Sequence, residues 1–93
     1  MSDTLQAAIS NDDAVEIDLS GLKCPLPALR TRKALRALAP GARLAVTATD
    51  PLAGIDIPNV VREEGAALEA QERQGPASRF LIRRGADRAA EST

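Results

Sequence analysis

The chain has 93 residues, 44% of them hydrophobic and 27% charged, with 12 basic against 13 acidic side chains for a net charge of −1. A chain of this length forms one domain that buries roughly 60–65% of its unfolded surface, and with Phe80 as the sole aromatic residue the core is aliphatic. Balanced charge and the lack of an aromatic platform exclude direct nucleic-acid binding, while a single cysteine excludes an internal disulfide framework and suits a reducing compartment.

Residues 1 to about 14 read as a flexible polar tail, with no basic leader and no apolar run of signal or membrane length, so the expected location is the cytoplasm, away from membranes. Val15, Ile17 and Leu19 alternate with Glu16, Asp18 and Ser20 and predict a half-buried strand. Ser20-Gly21-Leu22-Lys23 is a loop that leads to Cys24, and a helix is expected from about Pro25 to Leu38, ended by Pro40-Gly41. A second strand follows over about Arg43 to Thr49, with Leu44, Val46 and Ala48 on one face. Asp50-Pro51 opens a loop, and Asp56 reads as the N-cap of a helix over about Ile57 to Glu64, whose apolar face is Ile57, Val60 and Val61 and whose stop is Gly65. A weaker strand is expected at about Ala67 to Arg73, a turn at Gly75-Pro76, and a last strand at Arg79 to Arg84 before a polar tail over 86–93. The domain proper therefore spans 15–85.

This order predicts an α+β fold: a two-layer α/β sandwich, βαβαββ, with a mixed four-stranded sheet and two helices on one face. Two right-handed crossovers with parallel pairing would be followed by an antiparallel hairpin. On the first helix, Ala28, Thr31, Ala34, Leu35, Leu38 and Ala39 share the arc expected to face the core. The opposite arc presents Arg30, Arg32, Lys33 and Arg36, with Leu26 and Leu29 exposed among them. With Lys23, these form a surface suited to docking a partner near Cys24.

Cys24 is the strongest functional signal. A thiol just ahead of a helix meets unpaired backbone N–H groups and the positive end of the helix dipole, and both, together with the neighbouring Lys23 and with Arg30 within two turns, favour a depressed thiol pKa and the thiolate. The competing reading is a small buried hydrophobe. With no histidine in the chain, an imidazole-activated cysteine hydrolase is excluded; with no second cysteine, so is a dithiol cycle within one chain; and a zinc site lacks ligands, so no metal and no cofactor are expected. Cys24 and Arg30 match the C-x5-R spacing of phosphate cradles, but Pro25 and Pro27 remove two of the backbone donors such a cradle requires. What these residues allow is a cysteine that carries a group and hands it on, with Pro25 and Pro27 fixing its direction.

Cys24-Pro25-Leu26-Pro27 after Leu19-Ser20-Gly21-Leu22 resembles the CPxP element of the TusA/SirA sulfur-carrier family, and the resemblance continues through Arg32-Lys33, Asp50-Pro51, Asp56-Ile57-Pro58 and Arg79 to Arg84. It implies a βαβαββ sandwich in which Cys24 receives sulfur as a persulfide and Pro25 and Pro27 shape the motif. The implied donor is a cysteine desulfurase or another sulfurtransferase, and the implied recipient is a downstream acceptor protein, so the chain would act as a sulfurtransferase-type relay. An exposed thiol with Leu26 and Leu29 beside it suits transient docking better than obligate assembly, so a monomer is expected. The default destination is 2-thiolation of the tRNA wobble uridine. Dissimilatory sulfur oxidation and thiosulfate uptake are the alternatives within the relay class, and a non-catalytic redox-regulatory interaction module is the alternative outside it. Leu26 stands at a motif position where relatives often carry a polar or acidic residue.

Overall fold

The computed structural model describes residues 14–85; the expected tails, 1–14 and 86–93, lie outside the described residues except for Ala14, which opens the first strand. The elements are β1 (Ala14–Leu19), α1 (Leu26–Ala37), β2 (Arg43–Ala48), α2 (Ala53–Glu63), β3 (Ala67–Gln74) and β4 (Ala77–Arg83). The predicted α+β class and βαβαββ order are both present. The sheet order is β1-β2-β4-β3. β1 pairs parallel with β2, and β4 pairs antiparallel with both β2 and β3. The second crossover thus returns β3 in the direction of β2 without pairing to it, because β4 inserts between them; the expected second parallel pairing does not form.

Alternation places one residue row per strand toward the helices. Register aligns Leu19 with Ala48, Ile17 with Val46, Val46 with Phe80, and Leu44 with Ile82, so the inward row runs continuously across three strands. Leu35 of α1 and Ile57, Val60 and Val61 of α2 close over it, and all of these residues except Ile17 are buried. Burying such side chains contributes about 1.5–3 kcal/mol each. On α1 the core face includes Thr31, Leu35 and also Pro27, whereas Ala39, expected to face inward, lies exposed past the helix end. Helix α1 ends where Leu38 turns extended ahead of Pro40-Gly41.

α2 begins one turn before its expected start. Ala53 N–H donates to Asp50 C=O at 3.0 Å, and Ile55 and Asp56 N–H both donate to Leu52 C=O. Asp56 is therefore in the first turn rather than at the N-cap, and Pro58 lies inside the helix. An acidic side chain there still favours the helix dipole.

The sheet face away from the helices carries ion pairs. Arg79 of β4 reaches across β2 to Glu16 of β1 through two hydrogen bonds of 3.0 Å, and Ala45 beneath is fully buried. A bulge between Leu68 and Ala70 frees Glu69, whose carboxylate lies 2.8 Å from Arg43 and 2.7 Å from Arg83. No helix among the described residues is long and apolar enough to cross a membrane.

Candidate functional site

The segment that carries Cys24 joins β1 to α1 and is tied down at several points. Leu22 N–H closes a turn onto Leu19 C=O at 3.1 Å. Gly21 adopts φ 86°, a region that favours glycine, and its N–H donates to Thr49 Oγ1 at 2.8 Å, linking the loop to the end of β2. The hydroxyl and the N–H of Ser20 both donate to Asp18 Oδ1, which lowers the Asp18 carboxyl below its ordinary value. Pro25 forms the N-cap of α1 and Leu26 N–H donates to Lys23 C=O at 2.8 Å. The Leu26 N–H is thus engaged and is not one of the unpaired donors expected ahead of the helix. Pro27 is fully buried and anchors the helix start in the core, while Lys23, Cys24, Pro25 and Leu26 remain exposed.

Cys24 is exposed, which removes the buried-hydrophobe reading, and its Sγ lies 3.2 Å from Asp56 Oδ2, to which it donates. That hydrogen bond, then partial desolvation, then the charges of Asp56 and Asp50 push the thiol pKa up. The expectation of a depressed pKa is corrected here. A thiol that donates to a carboxylate is held in its protonated form, and this contact outweighs the cations and the helix terminus that the local sequence brings to mind. Cys24 Sγ and carboxylate oxygens of Asp50 and Asp56 all lie within 4.8 Å of one another. Cys24 is exposed and the two aspartates half-buried, and the arrangement defines an acidic collar around the thiol. Asp50 and Asp56 are the residues that sequence reasoning passed over. Both belong to segments that carry the family resemblance, which was the available signal, but they read as a loop opener and a helix cap.

Four large apolar side chains are exposed on the helix starts that bring Cys24 and Asp56 together: Leu26 and Leu29 in the first turn of α1, and Leu52 and Ile55 at the start of α2, with Ile55 62% exposed. The basic residues of α1 are not one open face. Arg32 pairs with Glu63 and approaches Glu64 at 3.4 Å, and Arg36 donates twice to Glu64 at 2.9 Å, so both are turned toward α2. Arg30 and Lys33 lie on the other flank, lining a groove against β1 with Ile17, Asp18 and Leu19.

The structure is a two-layer domain whose one thiol stands exposed at the head of a helix, beside two carboxylates. Residues 15–84 match the family model described as sulfurtransferase TusA. A sulfur carrier protein TusA from Allochromatium vinosum is 41% identical over 69 residues, 74% of this chain and 91% of the relative. In structure, a SirA-like protein from Desulfitobacterium hafniense superposes with a TM-score of 0.67 at 25% identity, covering 75% of this chain and 96% of that one. The chain belongs to the TusA sulfur-carrier family.

Proposed function

We propose that Cys24 accepts sulfane sulfur as a persulfide from a cysteine desulfurase or another sulfurtransferase and passes it to a downstream acceptor protein. The observation that carries this reading is the exposure of the lone thiol within Cys24-Pro25-Leu26-Pro27 of a TusA-family chain. Pro27, locked in the core, and Pro25, at the helix cap, give the thiol a fixed direction from which two partners in turn can reach it. Leu26 and Leu29 supply apolar contact beside it, and Arg30, Lys33 and Lys23 supply charge that steers encounter.

Incubation with a cysteine desulfurase and cysteine should add the mass of one sulfur atom to the protein. Reductant should remove it, and Cys24→Ser should never acquire it. Absence of the adduct with every donor tried would end the carrier reading. The destination carried over from the family is 2-thiolation of the tRNA wobble uridine, and its test is separate. Cells whose copy is Cys24→Ser should lose 2-thiouridine from their tRNA; unchanged 2-thiouridine would remove that destination and leave the relay intact.

A further inference from the structure

We propose that Asp56 is the catalytic proton acceptor at Cys24: it takes the thiol proton as sulfur arrives and returns it to the departing donor. The proposal rests on the carrier reading and assigns a residue to its chemistry. Sulfur loading needs the nucleophile at Sγ to lose its proton, because the thiolate is the attacking species. The chain has no histidine, and the side chain that touches the sulfur is Asp56, with Oδ2 3.2 Å from Sγ, within reach for proton transfer. The other charged group acting on Sγ is Asp50, which adds negative charge from the β2–α2 loop; Lys23, next in sequence, carries donors only.

In the step, Cys24 Sγ attacks the terminal sulfur of a donor persulfide. The new Sγ–S bond forms as the donor S–S bond breaks, and the bonding pair leaves on the inner sulfur of the donor. The Cys24 proton passes to Asp56 Oδ2 and from there to the departing thiolate, so a thiol and a persulfide exchange places with no net oxidation or reduction. The contact that opposes a standing thiolate is thus the one that receives the proton when sulfur arrives. At rest the carrier is a thiol, quiet toward adventitious electrophiles.

Because one residue both restrains the thiolate and receives its proton, a single substitution should drive two reactions in opposite directions. In Asp56→Asn, the midpoint of the iodoacetamide alkylation rate against pH should fall and alkylation at pH ~7 should quicken. Loading from glutathione persulfide, followed by intact mass, should slow at least about tenfold, at the low end of what positioned acid–base groups contribute. Asp56→Glu, which keeps the carboxylate, should recover part of the loading rate, and Asp50→Asn, which removes charge at a distance, should raise both rates together. Loading by Asp56→Asn that matches or exceeds that of the unsubstituted protein would overturn the proposal, as would an equal loss of loading in Asp50→Asn. If the unsubstituted protein alkylates normally but takes up no sulfur, the carrier reading itself falls and takes this role with it.

Discussion

Thr31 faces the core from the middle of α1 with no exposed surface, and its Oγ1 has no hydrogen-bond partner among the described residues. A buried hydroxyl without a partner costs stability. Thr31→Val, which keeps the branched shape, should therefore raise the unfolding free energy by about 1 kcal/mol in urea titrations; a lowered midpoint would mean that the hydroxyl is satisfied. One turn further, Leu35 is 1% exposed at the centre of the helix–sheet contact, and Leu35→Ala should cost about 2–5 kcal/mol in the same measurement. Both residues lie on the arc that helical periodicity assigned to the core, since a 3.6-residue period reports directly on which face is buried. Cys24 was legible for a similar reason: a thiol between a loop and a proline-headed helix is a local pattern. Its contact with Asp56 was not. The two are separated by 32 positions, and no periodicity encodes which loops converge at one end of a sheet.

Helix α1 divides its charge by what lies on either flank. Toward α2, Arg32 and Arg36 meet Glu63 and Glu64, and the Arg36 hydrogen bonds are the leading cause of a lowered Glu64 carboxyl pKa. Toward β1, Arg30 and Lys33 border the groove. Charge reversal should separate these two uses. Arg32→Glu with Arg36→Glu sets four carboxylates against one another and should lower Tm measurably. Arg30→Glu with Lys33→Glu should leave Tm nearly unchanged and slow sulfur transfer with a protein partner, most of all at low salt. Equal loss of Tm in both pairs would show that the two flanks share one structural role. A helical wheel placed all four cations on one arc, which is correct as an angle. It could not show that the second helix packs along one side of that arc, nor that α2 gains its extra turn because Asp50 and Leu52 carbonyls capture N–H groups ahead of Asp56.

Across the whole molecule, acid sensitivity follows from the ion pairs. Glu16, Glu64 and Glu69 are each held below the ordinary value of 4.5, chiefly by hydrogen bonds from Arg79, Arg36 and Arg83 respectively. A carboxylate with a depressed folded-state pKa stabilises fully above its unfolded value and loses that contribution as pH falls through the folded value. The urea midpoint should therefore be flat from neutral pH down to about 5.5 and decline below about 4.5. Arg79→Ala should shrink the Glu16 share of that decline, and an unchanged acid limb would show that this pair contributes nothing. Fold class and element order were legible because each element announces its own period. Strand order was not, because it depends on where β4 docks, and its inward row of Phe80 and Ile82 fits beside β2 as well as beside β3.

That docking has a consequence for how the protein is made. Among the described residues β4 is the last strand in the chain, yet it is central: it joins β3 to the rest of the sheet and supplies Phe80 and Ile82 to the core. Until it emerges, β3 has no partner and β2 has a bare edge that any extended chain can pair with. The nascent carrier therefore presents an open template from the completion of β2 until β4 takes its place between β2 and β3, after which β1 and β3 border the sheet. Its exposure to misassembly is concentrated in that interval, and a stall there would be more harmful than one before β2 is complete.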